Sequence, residues 1–216
     1  VTARHAQRIP GALPAVPLRS GSLCTGYGGL DLAVMAVLDA RLAWCAETDR
    51  HAAAVLAARY PGVRNLGDIT ALDWAAVPPV DLITAGWPCQ DISCAGPGAG
   101  IKEGTRSGLW LTIAAGLRHL RPACVFLENV AALRTRGLGK VLADLAALGY
   151  DTQWLCLRAA DAGACHRRDR IFILACQPSA RERLAAAAHP RRGGVQRRGI
   201  GDLLAGPPGP AEEARP

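Results

Sequence analysis

Cys89 stands between Pro88 and Gln90, just past the short apolar run Val80 to Ala85. That run reads as a buried strand, and it stops at Gly86 and Pro88. Cys89 is therefore expected on the loop beyond a strand's carboxyl end, where open α/β sheets bind their ligands. A thiolate is the strongest nucleophile among the side chains. A Cys in apolar surroundings is more often a small buried hydrophobe, but Pro88, Gln90 and Ser93 make a loop and not a core strand. A second reactive type follows the run Ala123 to Leu127, where Glu128 and Asn129 stand at another strand end. A partly buried carboxyl there, with a raised pKa, would donate a proton to a bound ring; an isolated Glu more often caps a helix or faces water.

A third feature is the turn Gly26-Tyr27-Gly28-Gly29 after Leu23-Cys24-Thr25. A Gly-rich turn lets a ligand approach the backbone closely. The dinucleotide fingerprint needs Gly at the sixth position, where Asp31 stands, so the fingerprint fails. The turn suits a nucleoside-bearing cofactor without a pyrophosphate, and by itself it reads equally well as a tight strand–helix turn. Glu47, ending the run Leu42 to Ala46, is placed to accept from ribose hydroxyls, and Asp68 could take an adenine amino group. Asp31 falls in the first turn of the next helix, where the dipole favours an acid.

These residues need elements to hold them. Apolar residues from Leu30 to Leu38 recur at helical spacing, and His51 to Tyr60 reads as a helix stopped by Pro61. Val63 to Leu66 is a short strand, Leu109 to Leu120 a helix, and Leu138 to Leu148 an amphipathic helix ended by Gly149. Thr152 to Leu157 and Ile171 to Cys176 are two strands with no helix between them, hence an antiparallel hairpin at the sheet edge. Alternating strands and helices predict an α/β fold with a mostly parallel sheet. Residues 94–107 are rich in Gly and predict a mobile loop. Residues 1–20 read as a poorly ordered lead-in and 178–216 as a flexible tail rich in Arg, Gly and Pro, leaving 21–177 as the folded unit.

The chain has 216 residues and a formal net charge of +7, which favours a polyanionic partner; a bias toward Arg and Ala in the coding sequence accounts for the excess equally well. None of the eight Cys forms a C-x-x-C pair, so no metal site is expected. No secretory leader pattern opens the sequence and no apolar run reaches membrane-spanning length. The expectation is a cytoplasmic protein with free thiols.

Taken together, the motifs resemble those of the DNA cytosine-5 methyltransferases. Ser22 to Gly29 resembles the family's first cofactor motif, Gly86-Trp87-Pro88-Cys89-Gln90 its nucleophile motif, and Glu128-Asn129-Val130 its Glu-Asn-Val motif. His166-Arg167-Arg168-Asp169-Arg170 resembles a Gln-x-Arg-x-Arg motif, with His166 in place of Gln. The resemblance runs over about residues 22–176 in the family's order. It implies a class I S-adenosylmethionine-dependent, Rossmann-like methyltransferase fold, S-adenosyl-L-methionine as cofactor and double-stranded DNA as partner, with restriction-modification as one setting. It implies that Cys89 attacks carbon 6 of a flipped-out cytosine, that Glu128 protonates or hydrogen-bonds ring nitrogen 3, and that Arg170, supported by Arg168, contacts the base carbonyl. Tyr27, Gly28, Gly29, Leu30, Glu47, Asp68, Ile69 and Leu109 would line the cofactor pocket. Pro88, Gln90, Ser93, Asn129 and Val130 would form the substrate side. Cys24 stands where many members carry Phe, and Thr48 where many carry an aromatic residue.

Two family features have no counterpart in the sequence: the variable DNA-reading region and the Gly-Asn-Ser-like segment that returns to the cofactor pocket. The expectations that follow are a truncated, catalytically deficient remnant, or one part of a split enzyme completed by a complementary polypeptide. A zinc nucleobase deaminase also uses Pro-Cys and Glu on flipped bases, but it needs a Cys where Ile92 stands and an upstream His-x-Glu that is absent.

Overall fold

A computed structural model of the chain describes residues 17–88 and 108–180. The expected lead-in up to residue 16, the expected Gly-rich loop at 94–107 and the tail beyond 180 lie outside the described residues, as do Cys89, Gln90 and Ser93. Seven strands form one sheet in the order β3-β2-β1-β4-β5-β7-β6. They are β1 (Leu18–Leu23), β2 (Ala40–Ala46), β3 (Arg64–Asn65), β4 (Leu82–Ala85), β5 (Cys124–Val130), β6 (Asp151–Arg158) and β7 (Asp169–Cys176). β1 to β5 pair in parallel, while β7 runs antiparallel to both β5 and β6. This is the α/β fold of the sequence reading, with its antiparallel pair at one edge. The pair is inserted with its second strand inward, so β6 is the outermost strand. β1 begins at Leu18, within the stretch read as lead-in.

The helices are α1 (Gly29–Val37), α2 (Arg50–Arg59), α3 (Leu109–Leu120), α4 (Leu133–Arg136) and α5 (Leu138–Ala147). Asp49 caps α2, its carboxylate accepting from the amides of His51 and Ala52. Two 3-10 turns, Ile69–Ala71 and Trp74–Ala76, connect β3 to β4, and Asp68 and Asp73 cap them. Alternation along each strand splits the core. Ile83, Val125, Leu127, Ile171 and Ile173 face the main cluster with Trp110, Ile113 and Leu117 of α3 and Val141 and Leu145 of α5. Leu82, Cys124 and Cys176 face the other way, toward Val34 of α1.

Two glycines permit close approach. A Cβ on Gly21 in β1 would collide with the Trp44 indole of β2. A Cβ on Gly116 in α3 would sit 2.7 Å from the ring of Trp74, which lies flat on the helix there. Cover is unequal, however. Beyond β5 the α1 face of the sheet carries Phe126 and Phe172, stacked with centroids 6.0 Å apart, and then Leu174, Leu155 and Leu157, all exposed. Trp154, on the opposite face of β6, is 43% exposed.

Candidate active site

The Gly-rich turn is built on left-handed backbone at Cys24 (φ 51°), Gly26 (φ 56°) and Gly28 (φ 76°). Such backbone is costly for a side-chain-bearing residue, and Cys24 bears that cost. Thr25 holds the turn from below, its hydroxyl donating to the Ser22 carbonyl and accepting from the Ala46 amide. Arg59 of α2 donates to the Tyr27 carbonyl at 2.8 Å. Glu47 holds it from the side: one carboxylate oxygen accepts from the Gly26 amide at 2.6 Å and the other from the Asp49 amide at 2.8 Å. Asn65 brackets the Glu47 backbone on both its amide and its carbonyl.

Two cavities open over this turn along the carboxyl ends of the parallel strands, as expected of an open α/β sheet. The smaller, of about 270 Å³, is lined by Glu47, Asp68, Ile69, Pro88 and Leu109, among others. The larger, of about 630 Å³, runs from Tyr27 and Leu30 past Asp31 to Glu128 and Arg170. They share Cys24, Gly26 and Gly86 in their walls. Gly26 and Gly29 would place a Cβ in open space, so the backbone there is bare to a ligand. Gly28 differs: its Cβ would meet Leu56 at 3.2 Å and Tyr60 at 3.3 Å, so this residue faces α2 and shapes the turn without lining a cavity. Acid groups at the smaller cavity and bare backbone beside it suit a nucleoside's hydroxyls and amino group, so the donor and acceptor set fits the expected cofactor. The Cys24 thiol is pushed up to about 12, by burial first and then by the carboxylates of Glu47 and Asp68; it is an inert thiol at neutral pH.

The other end of the larger cavity carries Glu128, Arg168 and Arg170, the residues expected to face the base. Glu128 of β5 and Arg170 of β7 form an ion pair, Nε to Oε1, at 2.6 Å. The antiparallel register sets Glu128 opposite Phe172 and Val130 opposite Arg170, which makes the pair a diagonal on one face. Gly86 keeps the exit of β4 close to this carboxylate, since a Cβ there would sit 3.4 Å from Oε2. Arg168, at φ 36°, also lines the larger cavity. Asn129 is buried, and its amide is used on backbone: Nδ2 donates to the Trp87 carbonyl at 3.1 Å, while Oδ1 accepts from the Val130 amide at 2.8 Å. It fixes the stretch that leads through Pro88 to Cys89.

Two features escaped the sequence reading. Trp87 is buried and packs its ring on Trp110 of α3, centroids 5.3 Å apart and planes tilted 40°; Trp110 in turn donates to Asp144 of α5 at 2.8 Å. Asp31 lies in the first turn of α1, as expected, and is also buried. It is 1% exposed, and its carboxylate accepts from Ser22 of β1 at 2.9 Å and from Thr84 of β4 at 2.5 Å. An Asp beside apolar residues, with hydroxyls at two strand ends, was the available signal. Among the described residues no group of three or more potential metal ligands converges, and no helix is long and apolar enough to cross a membrane.

Comparison with known proteins agrees with this geometry. The family model for C-5 cytosine-specific DNA methylases matches residues 18–205. Type II methyltransferase M.NgoBI of Neisseria gonorrhoeae is 37% identical over 132 residues, 59% of this chain and 41% of that protein. Type II methyltransferase M.NlaX of Neisseria lactamica is 34% identical over 157 residues, 70% of this chain and 50% of that protein. The chain thus spans about half the length of these relatives. The crystal structure of the S. pombe Dnmt2 methyltransferase superposes with a TM-score of 0.62 at 20% identity, over 74% of this chain and 51% of that one, a likeness of fold. S-adenosylmethionine is the methyl donor of the matched family. With its motif order, its sheet and its paired cavities in agreement with the match over residues 18–205, this chain belongs to the C-5 cytosine-specific DNA methylase family.

Proposed function

We propose that this chain carries the catalytic centre for methyl transfer from S-adenosylmethionine to carbon 5 of cytosine in DNA, through a covalent adduct of Cys89 with a flipped-out base. The observation that carries the reading is the continuity of the larger cavity: the Gly26 turn stands at one end and the Glu128–Arg170 pair at the other. The Glu47 and Asp68 carboxylates hold the nucleoside in the adjoining cavity, and Tyr27, Gly29, Leu30, Ile69 and Leu109 complete the walls. Binding is assigned to the folded unit expected over residues 21–177, whose first strand begins earlier, at Leu18.

The Cys89 thiolate adds to carbon 6 of the ring, forming the S–C6 bond and moving the ring electrons toward nitrogen 3. Glu128 protonates or hydrogen-bonds that nitrogen, so charge does not accumulate on the ring. Arg170 turns a guanidinium N–H to the base carbonyl while its Nε holds Glu128, and Arg168 supports it. Bound S-adenosylmethionine supplies the methyl group that the enriched carbon 5 takes up. Transfer of the carbon-5 proton to water restores the C5–C6 double bond and expels the Cys89 thiolate, and a proton placed on nitrogen 3 returns to Glu128. Pro88, Gln90, Ser93, Asn129 and Val130 are assigned to the substrate side, with Asn129 acting through the backbone of Trp87.

Double-stranded DNA is the proposed substrate. Flipping the target base costs on the order of a few kcal/mol, which phosphate and base-edge contacts must offset. Leu155, Leu157 and Leu174 are exposed around a half-buried Phe172, and such an apolar strip marks a contact surface. It supports a second reading, in which a complementary polypeptide segment completes the DNA-reading surface and this chain alone turns over poorly. The test is incubation with labelled S-adenosylmethionine and DNA, followed by nuclease digestion. Label in 5-methyldeoxycytidine supports the assignment; label on adenine or on the cytosine amino group contradicts it. Turnover restored only by the other half of a full-length relative, added in trans, selects the second reading.

A further inference from the structure

Asp31 joins three elements around the larger cavity. It lies in the first turn of α1, and its carboxylate takes hydrogen bonds from Ser22 at the end of β1 and from Thr84 of β4. Both hydroxyls are themselves buried. The residue is 1% exposed, yet it stands in the cavity wall together with Ser22 and Glu128. The charges around it are not alike. Glu128 is matched by Arg170. Glu47 is occupied by two backbone amides and belongs to the smaller cavity. Asp31 is met by two neutral hydroxyls, and no ion pair to it occurs among the described residues. Burial pushes its carboxyl up, and the two hydroxyls work against that push. A cation arriving in this cavity would therefore find a carboxylate that lacks a protein counter-charge.

The methyl donor and its demethylated product are alike in nucleoside and amino-acid parts. They differ at sulfur, which is a sulfonium cation in the donor and a neutral thioether in the product. A buried charge is little screened by salt and acts strongly on a cation nearby. We propose that Asp31 is a specificity-determining residue of this cavity, which favours the cationic methyl donor over its neutral product. The proposal rests on the assignment of the larger cavity to that cofactor, and it extends the assignment by naming the group that reads the charge at sulfur.

Calorimetry of the whole chain with S-adenosylmethionine and with S-adenosylhomocysteine tests it without any DNA. Asp31→Asn keeps the shape and, with one hydroxyl rotated, keeps both hydrogen bonds while removing the charge. The ratio of product to donor dissociation constants should fall about tenfold or more in Asp31→Asn, since one unit charge about 12 Å away at an effective dielectric of about 20 already gives a factor of about ten and a closer one gives more. Product affinity should change little. Equal weakening of both compounds would show that Asp31 only shapes the turn, and would overturn the proposal, as would an unchanged ratio. Should Asp31→Asn fail to fold, Thr84→Val removes one hydroxyl and leaves the carboxylate; the donor preference should then persist or grow, and its loss would overturn the proposal. Absence of binding of both compounds to the folded wild-type chain would overturn the cofactor assignment and this proposal with it.

Discussion

The two ends of the larger cavity are held in different ways. At the proposed cofactor end the backbone of the turn is bare and side chains fix it: Glu47, Thr25 and Arg59 each bond main-chain atoms of the turn or its neighbours. At the proposed base end side chains fix one another and the neighbouring backbone: Glu128 meets Arg170 directly, and Asn129 bonds the Trp87 carbonyl. The first arrangement belongs to the parallel heart of the sheet, flanked by α1 and α2. The second lies where the sheet turns antiparallel and its outer strand β6 is exposed along most of its length. The difference teaches a division of labour: a preformed binding turn within the covered sheet, and a chemical end whose surroundings remain open to a large partner.

The largest effect expected from breaking this division lies at the base end. Glu128→Gln keeps the side chain's volume and removes its charge toward Arg170 together with its ability to exchange a proton with the ring. Methyl transfer, measured by label incorporation into DNA, should fall by roughly 10²–10⁴-fold, the usual contribution of a positioned acid or base, while the dissociation constant for S-adenosylhomocysteine stays within about twofold by the additivity of distant sites. A matching loss of cofactor affinity would mean that the two ends are not separable.

A smaller, opposite effect is expected at the cofactor end. Glu47→Ala removes the acceptor for the Gly26 and Asp49 amides. Cofactor affinity should drop about tenfold or more, since hydrogen bonds to charged groups contribute about 1.5–3 kcal/mol. Calorimetry reads the affinity, and thermal melting should show a concurrent loss of stability. Unchanged affinity would place the nucleoside elsewhere.

The smallest effect sharpens the electrostatics of the same turn. Cys24 ionises at an ordinary 9.0 when unfolded and at about 12 in the fold. The folded chain therefore keeps a proton that the unfolded chain releases as pH rises between those values. The contribution is fully present below pH 9 and is lost on the way to pH 12. Cys24→Ala should flatten the alkaline decline in stability, by on the order of 1 kcal/mol near pH 10, as read from denaturant midpoints. An unaltered slope would argue against the carboxylate-lined burial of this thiol.

Much of the fold was legible because its signals are local. An apolar run closed by Gly86 and Pro88 marked the end of β4, and acids after the apolar runs of β2 and β5 marked Glu47 and Glu128, although β5 continues to Val130 and holds Glu128 within the strand. What was hidden is long-range. The partners of Asp31 lie 9 and 53 residues away in sequence, so its place in the first turn of α1 was readable while its hydroxyl partners were not. Trp87 and Trp110 meet only because β4 and the start of α3 are brought together, which no periodicity reveals. The hairpin after α5 was readable, but the insertion of β7 between β5 and β6 depends on pairing choices between distant strands. The 3-10 turns after Asp68 and Asp73 were missed because single capped turns are too short for periodicity to register. The assignments of Cys89, Gln90 and Ser93 rest on sequence, since these residues lie outside the described structure.

Trapping on DNA that carries 5-fluorocytosine tests the central claim most directly, because fluorine cannot leave carbon 5 as a proton does. The wild-type chain, with its complementary segment supplied if turnover requires it, should give a denaturation-resistant protein–DNA adduct that depends on S-adenosylmethionine. Cys94→Ser should trap as wild type does. Cys89→Ser should give no adduct; an adduct formed by Cys89→Ser at the wild-type level would contradict the assignment of Cys89 as the nucleophile.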